Sequence, residues 1–322
     1  MANQSIYNYR INDFSTPTGW STSNLFDTTY QETGTSAIDT FNQKVKELNV
    51  LILDPKNMRQ AFEQMYQAGK FSDPVNHELV QLVSDTTSVP TVFSNLILLG
   101  YISAVESFIR EILRKLIAID NYSRKACELK SISYGAALFH TPDMLPEALL
   151  ENMTFISRDN VEKVLKDFIG ITKVAFPSSV SEILIEYENV CQLRHCIVHR
   201  FGKLGANNAI KLGLETHSSY IEKPIKLNYA ALQKVAAVCT SVVKEVNQFL
   251  WQYVMMRLIG EPANQMHWRK KSDSIPWSWD YRRDKKRFKC YFDTFAYTGS
   301  STLVPDIYVA YTDYRNKFRQ LI

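Results

Sequence analysis

Apolar residues recur at helical spacing through much of the chain, most regularly between residues 91 and 260. Comparable patterns predict helices over residues 160–169, 180–201 and 229–259, and the last would be roughly 45 Å long at 1.5 Å per residue. The fold class expected is therefore mainly α, a helical bundle of about four to five helices. The clearest apolar face lies in residues 98–119 and is formed by Ile102, Val105, Ile109, Ile112, Leu113 and Leu116.

Residues with capping preferences mark the expected ends of these helices. Asp159 is a candidate N-cap for the first, which Gly170 would end. Ser179 with Glu182 has the spacing of a capping box and predicts the start of the second helix. Asn228 is expected to cap the third.

The flanks of the bundle differ from it in pattern, so we expect three parts. Residues 1–90 are predicted to be an N-terminal extension, partly helical, with helices near 38–53, 57–68 and 77–83. Residues 91–260 would form the bundle. Residues 261–322 would form a small aromatic and basic C-terminal segment, in which a loose alternation over 304–311 indicates a strand.

The cysteine content and the hydropathy of the chain indicate its cellular compartment. Its five cysteines are scattered and odd in number, which favours free thiols in a reducing compartment. The longest apolar stretch, residues 92–105, contains Ser94 and Asn95 and ends at Glu106, so it is too short and too polar for a membrane span. The start of the chain lacks the pattern of a secretory signal. We therefore expect a cytoplasmic protein that does not enter a membrane.

The net charge of +4 is distributed unevenly. From residue 261 onward, 12 Lys and Arg stand against 7 Asp and Glu, whereas the rest of the chain has 25 against 26. Two interpretations of this tail remain open. Interleaved cations and aromatics can neutralise phosphates and stack bases, as in nucleic-acid binding. Alternatively, the aromatics form the core of a small subdomain and the cations are its solvated face.

Two charges fall on apolar helix faces. Projection at about 100° per residue places Arg194 near the centre of the apolar stripe of residues 180–201, with His195 and His199 at its edge. The same projection places Glu106 within the apolar face of residues 98–119. An isolated buried charge is costly, so Arg194 and Glu106 are candidates to pair. The pair is either purely structural or part of a polar cleft, and the two adjacent histidines favour a cleft.

The run Arg194-His195-Cys196-Ile197-Val198-His199 has the pattern of Arg, four residues and His. It lies near the end of a predicted helix, a polar residue follows the Arg, a short helix precedes it within residues 157–170, and a long helix follows. Together with the acidic residue in an earlier helix, these features resemble HEPN domains, most closely those of bacterial toxin and phage-defence systems. The resemblance covers residues 91–260.

The resemblance implies a metal-independent endoribonuclease without a cofactor, acting as a homodimer in which two motifs face one cleft. His199 would exchange protons with the ribose 2′-OH and the departing 5′ oxygen, and Arg194 would hold the phosphate as it gains charge. His195 would position the phosphate or share the proton transfer, and Glu106 would orient these groups. The expected partners are substrate RNA and an antitoxin or other defence protein. The expected RNA-binding residues are Arg200, Lys203, Arg269, Lys270, Lys271, Arg282, Arg283, Lys285, Lys286 and Arg287.

Other functions stay open at this point. The chain is alternatively a non-catalytic HEPN-fold module that binds RNA, nucleotide or a partner protein, or a helical scaffold with no nucleic-acid role. Cys191, His195 and His199 recur every four residues and could face a zinc ion, although the sequence offers no fourth ligand nearby. The glycine-rich loops of NTPases and dinucleotide-binding folds are absent from the sequence, as is the nucleophile elbow of hydrolases.

Overall fold

The computed structural model describes residues 22–27, 29–30, 34–52, 91–171, 174–259, 277–299 and 304–319. Within these residues the chain is mainly helical and contains no sheet, as expected, and the only β pairing there is an isolated bridge between Lys203 and Pro224. The α-helices are α1 (Ala37–Ile52), α2 (Thr91–Ile119), α3 (Asn121–Cys127), α4 (Tyr134–Phe139), α5 (Leu145–Leu150), α6 (Arg158–Ile169), α7 (Ser178–Arg200), α8 (Ala206–His217), α9 (Tyr229–Leu258), α10 (Tyr281–Phe295) and α11 (Ile307–Phe318).

The chain divides into two compact units, Met1–Gly34 and Thr35–Ile322. The described part of the first contains a 3-10 helix at Thr22–Leu25. All the α-helices belong to the second. None of the described helices is both long and apolar enough to cross a lipid bilayer.

The second unit is organised around α2, which contacts α1, α3, α5, α6, α7, α9 and α10. The residues that form the apolar face in the sequence are buried along this helix, from Ile102 to Leu116. The hydrophobic core includes side chains of α1 and of the two C-terminal helices as well as those of the central bundle. The boundaries expected at residues 90 and 260, and the helices expected over 57–68 and 77–83, lie outside the described residues.

The predicted helix ends are partly confirmed. Asn228 caps α9 by accepting a hydrogen bond from the backbone N–H of Ala231 at 2.9 Å. Gly170 ends α6 in the left-handed conformation, with φ of 74°. Asp159 is not the N-cap of α6, however. Ser157 caps it instead, because its hydroxyl accepts from the backbone N–H of Asn160 at 3.3 Å.

The capping box predicted for α7 is wrong. The helix begins earlier, at Ser178, and has no side-chain cap. The reason is that the carbonyl of Pro177 already accepts the first helical hydrogen bond, from the N–H of Ser181 at 3.0 Å. Ser179 and Glu182 therefore lie inside the first turns of the helix.

Two helices differ from the sequence interpretation. The strand indicated over residues 304–311 is wrong, since α11 occupies most of this range and buries Tyr311, Tyr314 and Phe318 at helical spacing. Helix α8 was not predicted, because Gly202 and Gly205 look like the end of a helical region. Gly205 instead precedes α8 in an extended conformation, with φ of −86° and ψ of 154°.

A buried ion pair that the sequence did not indicate joins three helices. The side chains of Asp120, the N-cap of α3, and Arg257, in the last turn of α9, are both fully buried and bonded through Nη2 and Oδ2. Nη2 also donates to Ser123 Oγ at 3.0 Å, and Nη1 donates to the carbonyl of Ile169 at 2.5 Å. Because several hydrogen bonds surround the pair, it fastens α9 to α3 and to the end of α6.

The cysteines separate into four buried thiols and one exposed thiol, Cys290 on α10. Burial raises the pKa of the Cys127 thiol to about 11 and that of Cys191 to about 12. Such thiols remain protonated at neutral pH and behave as small apolar side chains.

Candidate catalytic cleft

A cavity of about 760 Å³ opens between α7 and α8, next to the start of α6. It exists because the turn after α7 folds α8 back along the second half of that helix. Its polar wall contains neutral, basic and acidic side chains. They belong to Ser157, Asn160, Glu188, Gln192, His195, His199, Arg200, Asn207, Asn208 and Lys211.

Two histidines of the predicted motif face this cavity together. His195 and His199 lie four residues apart on α7, and their ring centroids are 4.4 Å apart at an interplanar angle of 48°. Both side chains are exposed, and within the described residues neither ring has a hydrogen-bonding partner. Partial burial lowers the pKa of His195, and the nearby charges of His199, Lys211 and Arg194 lower it further. His195 therefore stays neutral to lower pH than an isolated imidazole.

The other two predicted catalytic residues lie outside the lining of the cavity. Arg194 and Glu106 are both partly buried, and among the described residues no hydrogen bond or ion pair joins them. They are still close enough to interact. Burial raises the pKa of Glu106, while the charges of Arg194 and Arg110 oppose that rise. The tight buried pair suggested by the helix projection is thus not formed.

The apolar stripe of α7 explains this outcome, because it leaves the core near Arg194. Tyr187 and Val190, earlier in the stripe, are buried, and so is Ile197 after Arg194. Val198 and Phe201, four and seven residues after Arg194 and so on its side of the helix, are 50% and 82% exposed. The projection treated the stripe as buried along its whole length, and this assumption fails at Val198 and Phe201.

The exposed end of α7 lies beside the first turns of α2. A Cβ atom on Gly202 would be 3.1 Å from Asn95 Nδ2. Leu96, the next residue of α2, is 59% exposed. Phe201 itself adopts a left-handed conformation, with φ of 50°, which is rare for a bulky residue. We call the exposed pair Val198 and Phe201 at the end of α7 the apolar strip.

The two cations that follow the motif have different surroundings. Arg200 donates to Glu222 Oε1 at 2.5 Å and to the carbonyl of Leu204 at 3.4 Å. Its guanidinium therefore helps to hold the turn between α7 and α8 while lining the cavity. Lys203 is exposed in that turn and is available to bind phosphate.

The described part of the basic tail is a small aromatic core. Trp277, Phe288 and Tyr291 are buried, so these rings are not available to stack bases. Arg287, expected to bind RNA, instead lies 4.1 Å above the Trp277 ring, and burial lowers its pKa. Of the cations of α10 that were expected to bind RNA, four keep an exposed surface position: Arg282, Arg283, Lys285 and Lys286. Arg269, Lys270 and Lys271 lie outside the described residues.

The zinc alternative gains no support from the geometry. Cys191, His195 and His199 all line the cavity, yet no three potential ligands in the described part of the chain are arranged to hold a metal ion. The protonated thiol of Cys191 is also a poor ligand, since metal binding requires the thiolate.

Sequence reasoning missed the residues that α8 brings to the cavity, notably Asn207 and Lys211. The helix is interrupted at Gly213, whose φ is 101°, and its short amphipathic pattern lies between glycines. No signal in the sequence places it opposite the two histidines.

Comparison of the chain with protein-family models, curated proteins and solved structures found no match. The resemblance to HEPN domains accordingly rests on the Arg and His motif and on the order of the helices.

Proposed function

We propose that the protein is a metal-independent endoribonuclease that cleaves RNA through attack of the ribose 2′-OH. The observation that carries the proposal is the pair of exposed imidazoles, 4.4 Å apart, in a cleft that also contains Arg200 and Lys211. Such cleavage needs a base to remove the 2′-OH proton and an acid to protonate the departing 5′ oxygen. Two neighbouring histidines can divide these tasks, and the products are a 2′,3′-cyclic phosphate and a 5′-OH.

The lowered pKa of His195 suits the base, which must be neutral before the reaction. His199, the histidine of the motif, then acts as the acid. In this division the phosphate lies at the edge of both rings, and the negative charge that it gains is stabilised by cations at the cleft wall.

Arg194 takes part through a homodimer. The exposed apolar strip lies on the same side of α7 as Arg194, and a surface of this kind is suited to cover by a second copy. A two-fold arrangement would bring the two motifs together, and each guanidinium would then contribute to a composite site. Glu106 interacts electrostatically with Arg194 without bonding to it and helps to orient it. The proposed role as a toxin or anti-phage defence effector, with an antitoxin or other defence partner, rests on the resemblance to HEPN proteins.

One observation favours a second candidate function. In the single chain, Arg194 lies off the cleft and has no bonded contact with His199 among the described residues. This would suit a non-catalytic HEPN-fold module that binds RNA, nucleotide or a partner protein without cutting RNA.

Incubation of the purified protein with total RNA in excess EDTA tests both candidates. We expect cleavage to survive EDTA and to fall by about 10²-fold or more in His199→Ala, since general acid–base catalysis contributes at least this much. Arg194→Ala and His195→Ala should also cleave slowly, whereas His217→Ala, in a histidine of α8 outside the cleft lining, should retain full activity.

Thermal unfolding of each variant separates loss of chemistry from loss of structure. RNA binding without cleavage by the wild-type protein would support the non-catalytic module. Full activity in a folded His199→Ala variant, or cleavage that stops in EDTA, would contradict the proposed mechanism.

A further inference from the structure

Lys211 is a cation without a bonded partner in a cleft that contains two histidines. It lies on α8, is exposed, and lines the same cavity as His195 and His199. Within the described part of the chain its ammonium group forms no hydrogen bond or ion pair. Its charge is near enough to His195 to lower the pKa of that imidazole. A lysine in this position disfavours protonation of the histidine beside it, and its positive charge attracts an anion into the cleft.

The remaining groups around the cavity do not neutralise this charge. From α7 come the two histidines, Arg200 and Glu188, and from α6 and its N-cap come the neutral side chains of Asn160 and Ser157. Glu188 is the only acidic side chain among the described lining residues, and its Oε2 accepts a hydrogen bond from the backbone N–H of Arg158 at 3.2 Å. The described lining therefore carries two cations, Arg200 and Lys211, against one carboxylate, and no ion pair joins Glu188 to Lys211 there.

We propose that Lys211 binds a phosphate group of the substrate and holds it beside the paired rings of His195 and His199. This inference rests on the proposed function and extends it, because it assigns the phosphate-holding task inside the cleft to α8 rather than to α7. Arg194, the cation of the motif, lies off the cleft lining in the single chain, and Arg200 is engaged by Glu222. Lys211 is the remaining cation of the lining whose donors are all available.

The chemistry indicates the kind of ligand. An ammonium group acts as a point charge on a flexible stem and does not demand the bidentate geometry of a guanidinium. The Lys211 ammonium and the two imidazoles together suit a tetrahedral oxyanion. This is either inorganic phosphate or the phosphodiester of a nucleic acid strand. Since the lining donors and acceptors for a base are the amides Asn160 and Asn207, a phosphodiester in an unpaired strand is the occupant that we assign to the cleft.

Binding of non-reacting probes tests the inference without requiring cleavage. The ring signals of His195 and His199 would be followed by NMR while inorganic phosphate, or a short oligodeoxynucleotide that lacks the 2′-OH, is added. We expect Lys211→Met to weaken binding of both probes by about tenfold, as loss of one desolvated charge contact does. Lys211→Arg should restore most of the binding of both probes. The control Lys234→Met, at an exposed lysine of α9, should bind them like the wild type.

The pKa of His195 provides a second readout in the same spectra. It should rise in Lys211→Met, because a repelling positive charge is removed, and should stay low in Lys211→Arg. Unchanged probe binding in Lys211→Met would overturn the inference, whether or not the protein cuts RNA. A third result is possible, in which probe binding depends on Lys211 but the protein does not cleave RNA. That result would support the inference and contradict the ribonuclease proposal.

Discussion

Two arginines of the bundle each lie near a carboxylate, but their surroundings differ. Arg257 and Asp120 are fully buried, and hydrogen bonds from Ser123 and to the Ile169 carbonyl surround their ion pair. Arg194 and Glu106 are only partly buried and have no bonded contact with each other among the described residues. The first pair occupies the junction of three helices, whereas the second lies where the stripe of α7 emerges from the core.

The difference is the one expected between a structural arginine and an arginine with the function proposed for Arg194. A buried ion pair needs further hydrogen bonds to offset its desolvation, and both terminal nitrogens of Arg257 donate such bonds. Arg194 is partly buried and interacts with Glu106 only through the charges of the two groups. A charge left loosely beside an exposed apolar strip is better explained by a partner that has yet to bind, which agrees with the proposed dimeric site.

The largest effect is expected from Arg257→Met. Removal of the guanidinium leaves Asp120 as an unpaired buried charge, so the free energy of unfolding should fall by about 3–5 kcal/mol. Urea unfolding followed by circular dichroism measures this. A loss below about 1 kcal/mol, the usual size for an exposed pair, would show that water reaches Asp120 and would remove the contrast between the two arginines.

A smaller effect on stability is expected from the matched change Arg194→Met. Because this side chain is partly exposed and has no bonded partner, the free energy of unfolding should change by less than about 1 kcal/mol. RNA cleavage, measured on the same preparation, should fall strongly. A large loss of stability would mean that Arg194 supports the bundle as Arg257 does, and the functional interpretation of its position would fail.

The smallest effect is expected from Glu106→Gln and concerns pH dependence. The pKa of Glu106 is raised in the folded protein, so the folded state holds its proton more tightly than the unfolded state does. Its contribution to stability is therefore present below the usual pKa of 4.5 and is lost as pH rises through the folded pKa. The variant should be as stable as the wild type at low pH and relatively more stable toward neutral pH. Melting temperatures across this range give the comparison, and a constant offset between the two proteins would contradict it.

The sequence predicted the parts of the fold that depend on local order. The apolar face of α2 and the caps at Asn228 and Gly170 follow from neighbouring residues, and the structure confirms them. From the sequence alone, Arg257 looks like an ordinary cation in the last turn of a helix. Its burial is explained by Asp120, and that residue lies 137 residues away along the chain. No periodicity encodes such a contact.

The candidate site was predictable to a similar extent. The spacing of His195 and His199 placed both on one side of α7, and the structure keeps them together. Lys211 was not found, since its approach depends on the turn that reverses the chain after α7. The position of Arg194 was misjudged because a helical projection does not show where neighbouring helices stop covering a stripe.

The distribution of thiols has a practical consequence. Four cysteines are buried, and Cys290 on the basic helix α10 is exposed, so the natural chain offers one site for selective attachment of a maleimide fluorophore. A dye there would report directly on whether nucleic acid approaches the cations of α10, through a change in its emission or anisotropy. The same label, introduced at sub-stoichiometric levels as donor and acceptor, would register the assembly of two chains by energy transfer without any engineered substitution.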